Sequence, residues 1–259
     1  MRRTDYVLDN DAPEARARLA LLAAMYDGIT TAQLSQVGAT EGWQCWEVGC
    51  GSGSVAAWLG ERVGELGEVY ATDLDTRWVS LPARSLCTVL EHDVVTDDPP
   101  GINLDLVHVR LVASHLPQWP EVLPKLVAAL APGGWLIVEE LDPLFDYRPD
   151  APITDLINRV GHAFTEVLGS RGGNPHLGSA LHGQLLGQGL VNVAGHGLVH
   201  QGVGGGLVAE LMQANVSQMA TELMDLGITD TEIDDYLDLM EDPETVLCMP
   251  VFWTVRGQK

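Results

Sequence analysis

With 259 residues and 46% hydrophobic side chains, the chain is long enough to bury the core of one large domain with insertions. Its 36 Asp and Glu against 14 Lys and Arg leave a formal net charge of −22, a field that repels phosphate backbones and anionic membrane surfaces. Nucleic acid and membrane are therefore not expected as partners. The opening Met1-Arg2-Arg3-Thr4-Asp5 lacks the long apolar stretch of a signal peptide, and no run approaches the length of a membrane span. Cys45, Cys50, Cys87 and Cys248 show neither a CxxC pair nor disulfide spacing, so a cytoplasmic location is the expectation.

In chain order, residues 15–25 read as the clearest helix of a helical cap over residues 1–42. Residues 44–48 form a short apolar strand feeding a glycine turn, and 55–63 the helix that leaves it. Residues 68–73 (EVYATD) are a second strand ending on an acid, 88–92 a third running into Asp93-Val94, and 104–109 a fourth ending in Arg110. Residues 125–130 read as helix, closed by Pro132-Gly133-Gly134, and 135–139 as a fifth strand. Helices follow at 152–168 and 177–186, separated by the loop signal Gly169-Ser170-Arg171-Gly172-Gly173-Asn174-Pro175. A sixth strand at 190–199, helices at 207–226 and 231–240 and a seventh strand at 249–256 complete the chain.

Strands alternating with helices at this spacing mean right-handed crossovers and an α/β fold: a doubly wound, mostly parallel seven-stranded sheet with a helical cap and insertions. One domain over residues 1–259 is expected, with a core at 43–140, a helical insertion at 141–189 and the last strands at 190–259, interrupted by a helical insertion at 207–245. Such sheets bind ligands at the carboxyl ends of their strands, where Asp73, Asp93, Arg110 and the glycine loop all fall.

The loop itself is Glu47-Val48-Gly49-Cys50-Gly51-Ser52-Gly53-Ser54. Alternate glycines between strand and helix let the backbone approach a ligand where a Cβ would collide, and an acid at the tip of the next strand suits both hydroxyls of a ribose. The dinucleotide fingerprint G-x-G-x-x-G would need a third glycine, but Ser54 or Ala56 stands there. The pattern acidic-x-G-x-G-x-G resembles the first motif of class I S-adenosylmethionine-dependent methyltransferases, bacterial small-molecule enzymes among them. The segment from His108 to Pro117 (HVRLVASHLP) resembles their fourth-strand motif, residues 132–140 (PGGWLIVEE) their fifth strand, and Tyr6-Val7-Leu8-Asp9 their amino-terminal cap. Asp98-Pro99-Pro100 lacks the aromatic of the nucleic-acid amino-methyltransferase tetrapeptide, having Gly101 instead, and is rejected as a match.

The resemblance implies S-adenosyl-L-methionine as cofactor and transfer of its methyl group to a small organic molecule of the secondary-metabolite kind. It implies cofactor contacts from Tyr6, Glu47, Gly49, Cys50, Gly51, Gly53, Asp73, Leu74, His92, Asp93, Val94, Arg110 and Leu111. Glu47 and the glycine loop would face the methionine and sugar, Asp73 the ribose, Leu74 and Val94 the adenine, and Asp93 its amino group. His115, in Ser-His-Leu-Pro just beyond the fourth strand, stands where a histidine serves as base in related enzymes; capping the segment or bonding the cofactor is an equal alternative. Glu140 and Asp142 are candidate partners or substrate ligands; His176 and His182 lie in the insertion within reach of a pocket, but read first as ordinary helix or loop histidines. No metal is expected, since no histidines fall at i, i+4 on a helix with a supporting cluster. The methionines at 212, 219 and 224 read as core packing. An apolar face on 207–226 would cover a pocket or build a homodimer. The alternatives are a cofactor-binding protein that catalyses another reaction such as cyclisation, a pure binding module, and, disfavoured by the missing glycine, an NAD-linked oxidoreductase.

Overall fold

The computed structural model of the chain describes residues 14–143 and 152–259. Seven strands form one sheet in the order β3-β2-β1-β4-β5-β9-β6: Cys87–Glu91, Glu68–Asp73, Gln44–Val48, Leu104–Arg110, Leu130–Asp142, Val251–Gln258 and Val191–Leu198. The first five pair in parallel, while β9 runs antiparallel to both β5 and β6. The chain winds outward from β1 to β3 and then returns to β4, so strand order reverses between β1 and β4. A crevice opens at that reversal, beyond the carboxyl ends of the strands.

Alternation along the strands assigns the two faces. Trp46, Val48, Val107, Val109, Leu136, Val138 and Val255 point to one face and pack under α3 (Trp119–Ala129) and α5 (Leu177–Gly187). Cys45, Val69, Ala71, Leu106 and Ile137 point to the other, where α2 (Ser54–Val63) and the end of α1 (Ala15–Gln36) cover them. A third core lies in the cap. There Met25 and Tyr26 of α1 meet α4 (Pro152–Ser170), α6 (Leu207–Gln218), α7 (Ala220–Asp225) and α8 (Asp230–Glu241). Tyr26 stacks on Phe252 of β9 at 4.3 Å between ring centroids, which joins cap to sheet.

Several elements depart from the pattern read in the sequence. The helix before β5 begins at Trp119 rather than 125, because Pro120 falls in its first turn, where a missing N–H costs nothing. The segment 207–226 is two helices, broken where Met219 leaves helical geometry with φ −110° and ψ 11°. Met219 itself is fully buried at that break, and Met224 is exposed. The first helix runs on to Gln36, and the third strand starts and ends one residue earlier, at Cys87 and Glu91. Two short strands, β7 (Gln201–Val203) and β8 (Val246–Cys248), form a separate antiparallel pair; at three residues each they carry too little alternation to be read. The last helix is secured by a capping box in which Thr229 Oγ1 accepts from the Glu232 amide and Glu232 Oε2 accepts from the Thr229 amide.

Leu126 of α3 is fully buried against the sheet, whereas Leu66 is 75% exposed. Leu126→Ala is expected to cost about 2–5 kcal/mol, and Leu66→Ala no more than about 0.5 kcal/mol. Urea unfolding midpoints at constant slope test this contrast.

Candidate functional site

Gly49, Gly51 and Gly53 all adopt positive φ (67°, 54° and 80°), a conformation that side chains rarely take. At Gly49 the constraint is doubled, since a Cβ would stand 2.2 Å from Val112 Cγ2. The turn is held from the next strand: Asp73 Oδ2 accepts from the Gly51 amide at 2.9 Å, and its Oδ1 from the Asp75 amide at 3.1 Å. Burial pushes the Asp73 carboxyl above its ordinary range, a rise that these amides oppose.

Between this loop and α1 lies a cavity of about 130 Å³. Ten of the thirteen residues expected to contact the cofactor line it: Gly49, Cys50, Gly51, Asp73, Leu74, His92, Asp93, Val94, Arg110 and Leu111, and the candidate base His115 lines it too. The far wall is fixed by Lys125, whose Nζ donates to the carbonyls of Val94, Val95 and Asp97, and by Asp93 Oδ1, which accepts from the Val95 amide. Cys50 is buried at the cavity wall, and that burial pushes its thiol far up and out of reach of ionisation.

Gly53 does not line the cavity; it serves as the left-handed N-cap of α2. Tyr6 lies outside the described residues. Glu47 does not line it either. Its Oε2 lies 2.6 Å from Nδ1 of fully buried His108, and His108 Nε2 lies 3.2 Å from Glu139 Oε2. Glu139 accepts in addition from Thr30 Oγ1 at 2.5 Å and Thr254 Oγ1 at 2.7 Å. Arg110 Nη1 donates to Thr30 Oγ1 and pairs with Asp27 Oδ1 at 2.9 Å. Burial alone would push the His108 imidazole down, but Glu47 and Glu139 on either side prevail and hold it at about 9. The same donors overcome burial at Glu139 and keep its carboxyl below the ordinary range. Sequence reasoning missed this chain, because its members come from four strands and a helix and only the register brings them together.

A second cavity of about 210 Å³ opens under the cap, walled by Leu141, Ile157, Phe164, Met212, Val216 and Tyr236 among others. Arg18, Leu22, Leu111 and His115 line both cavities. Nothing in the sequence singled out Arg18, which is 2% exposed although it sits two residues from a second arginine, Arg16, in an alanine-rich run. Burial, with the Arg18 charge beside it, pushes the His115 imidazole down to about 3, so it is neutral at ordinary pH. Glu140 lines the second cavity. Asp142 lines neither and is drawn to the start of α5, where its Oδ2 accepts from the Ser179 amide at 2.9 Å. His176 and His182 line neither cavity.

Residues 46–136 match the family model of a methyltransferase domain. Methyltransferase str2 of Strobilurus tenacellus is 30% identical over 189 residues, spanning 70% of this chain and 64% of its own. Methyltransferase str3 of the same organism is 33% identical over 147 residues, spanning 54% of this chain and 50% of its own. The chain thus covers about half to two-thirds of the length of these curated relatives. Phosphoethanolamine N-methyltransferase 2 of Haemonchus contortus was solved in complex with phosphomonomethylethanolamine and S-adenosylhomocysteine. It shares the fold at a TM-score of 0.54 and 13% identity, with 90% of this chain and 52% of that one aligned. The chain is thus similar in sequence to methyltransferases, most clearly over the domain at residues 46–136, and shares the fold of the Haemonchus enzyme.

The His108 chain has a testable pH signature. The folded state retains a proton that the unfolded histidine gives up near 6.5, so this contribution is complete below about pH 6.5. It is lost as pH rises through about 9. Thermal melts between pH 6 and 10 are expected to show that decline. In His108→Gln the decline attributable to the imidazole disappears, and the protein is less stable by about 3–5 kcal/mol near neutrality because buried glutamates lose their charged partner. An unchanged alkaline profile in the variant contradicts the assignment.

Proposed function

We propose that the protein transfers the methyl group of S-adenosyl-L-methionine to a small, largely apolar organic molecule of natural-product type. The observation that carries this reading is the pair of adjoining cavities: one built on the glycine loop and Asp73, the other apolar, with His115, Arg18, Leu22 and Leu111 shared between them. The residues present fit the cofactor. Gly49 and Gly51 line the cavity with bare backbone, where a Cβ would collide with Val112 or crowd Leu19 of its wall, Asp73 offers a carboxylate at the tip of β2, and Leu74, Asp93 and Val94 form the wall for the adenine. S-adenosylhomocysteine in the Haemonchus enzyme, on the same fold, supports this choice.

When bound, the cofactor supplies a methyl group already activated on a sulfonium. The protein's share is then to hold the acceptor in line with that methyl group and keep water out, a contribution that reaches roughly 7–11 kcal/mol in favourable systems. His115 sits at the junction as a neutral imidazole and can accept a hydrogen bond from the acceptor. Every unit by which its pKa lies under that of the acceptor costs about 1.4 kcal/mol in full proton transfer. Its role is therefore orientation first and base second.

Calorimetric titration with S-adenosylhomocysteine, with NAD as control, tests the cofactor. A dissociation constant on the order of 10⁻⁶ M for the first and no heat for the second is expected. Asp73→Ala is expected to weaken binding about 10–100-fold, and Asp73→Asn less, because the amide keeps one acceptor. Binding to NAD alone moves the chain to the oxidoreductases. Binding of S-adenosylhomocysteine without its release from S-adenosylmethionine in the presence of acceptors moves it to a non-methylating reaction or a binding module.

A further inference from the structure

Among the side chains that line the apolar cavity, Glu140 has an unsatisfied hydrogen-bond acceptor. It is 1% exposed, its Oε1 accepts from the Ser114 amide at 3.1 Å, and its Oε2 has no hydrogen-bond partner among the described residues. Buried carboxylate oxygens are almost always satisfied, so an orphan at a cavity wall points to a donor that arrives with the ligand. Leu141, Ile157, Phe164, Met212 and Val216 make most of the surrounding wall apolar, with Asn158, Thr165 and Asn215 as neutral polar residues among them, so the body it accepts is largely apolar. We propose that Glu140 is the polar anchor of this cavity and selects an otherwise apolar molecule that presents a hydroxyl, of the phenol or enol kind, to its Oε2.

Two observations favour a hydroxyl over an ammonium group. Arg18 lines the same cavity at 2% exposure, and a second buried cation would meet its charge there. Burial also pushes the Glu140 carboxyl up to about 7, against the Ser114 hydroxyl and the amides of Ser114, Ala113 and Val112, so both protonation states occur near neutrality. A hydroxyl donates to the carboxylate and accepts from the acid, and so fits either state. Asp142, the other acid at this strand end, lines neither cavity: its Oδ2 accepts from the Ser179 amide of α5, and its Oδ1, though without a partner among the described residues, lies away from the cavity wall and takes no part. The proposal deepens the methyl-transfer reading and rests on it for the role of the cavity.

The test uses 2-naphthol and naphthalene as probes, measured by equilibrium dialysis against the full chain with and without saturating S-adenosylhomocysteine. Wild type is expected to prefer 2-naphthol by at least about tenfold, the scale of a hydrogen bond to a charged group. Glu140→Leu is expected to keep naphthalene and lose the preference, and Glu140→Gln to keep a reduced one through its amide oxygen. Should Glu140→Leu not fold, as judged by thermal melting, Glu140→Gln carries the test with a severalfold drop. Equal binding of both probes to wild type, no binding of either, or a preference unchanged in the variants overturns the proposal. A preference that depends on Glu140 in a protein that fails to bind S-adenosylhomocysteine sinks the methyl-transfer reading and leaves the anchor. Methyl transfer with a preference indifferent to Glu140 does the reverse.

Discussion

Burying His108 between Glu47 and Glu139 fixes how the strands beneath the glycine loop line up. Glu47 lies opposite His108 in the β1–β4 register, and Glu139 opposite Thr254 in β5–β9, so one face of the sheet carries a polar line across four strands. A one-residue slip in any of them would turn its side chain to the opposite face, against the valines packed under α3 and α5. It would also leave buried charges without partners. Buried ion pairs contribute little net stability, since desolvation offsets most of the attraction, but breaking one is costly. The interaction therefore acts as a register lock. Because β1 ends in the glycine loop and β4 in Arg110, locking these strands positions both sides of the crevice.

The same line reaches the cap. Thr30 donates to Glu139 and accepts from Arg110, which pairs with Asp27, and Ser54 Oγ donates to Asp27 at 3.2 Å. Helix α1 is thereby tied to the sheet by polar contacts as well as by the Tyr26–Phe252 stack. Since Arg18, Leu19 and Leu22 of this helix close the glycine-loop cavity, its placement determines the room left for a cofactor. Adjacent glutamates on β5 show how local supply of donors decides behaviour. Glu139 has three side-chain donors and is held ionised, while Glu140, on the other face, has the Ser114 amide on Oε1 and, among the described residues, no hydrogen-bond partner on Oε2, its remaining support coming from the Ser114 hydroxyl and the amides of residues 112 and 113 nearby. Burial then wins at Glu140 and loses at Glu139.

What could be read from the sequence was what is local. Glycine spacing, the acid at the tip of β2 and the alternation of strands 1, 2 and 4 all depend on neighbours a few residues away, and those elements fall where the pattern puts them. The Glu47–His108 contact spans 61 residues and His108–Glu139 spans 31, and a histidine between valines in a strand reads only as a core residue. Glu47 illustrates the limit. The motif directs it toward a ligand, while the register gives it a histidine. The wall formed by α1 and the break at Met219 were equally hidden, since tertiary packing rather than periodicity sets both.

The second cavity, proposed to receive an acceptor, sits where the cap core meets the sheet, so its walls come largely from the helices inserted after β5 and β6, with Arg18 and Leu22 from α1 and Glu140 and Leu141 from the sheet. Changes in the helices would reshape the apolar walls while the register lock, the glycine loop and the turn at residues 113–115 stay in place. That turn carries His115 at the junction of both cavities and offers the Ser114 amide to Glu140. A shift in it would move the junction and the anchor together. In-line displacement is sensitive to alignment far more than to base strength. On the proposed reading, a neutral histidine with little basicity suits that junction, because the Glu140 carboxyl, as anchor, holds the acceptor still.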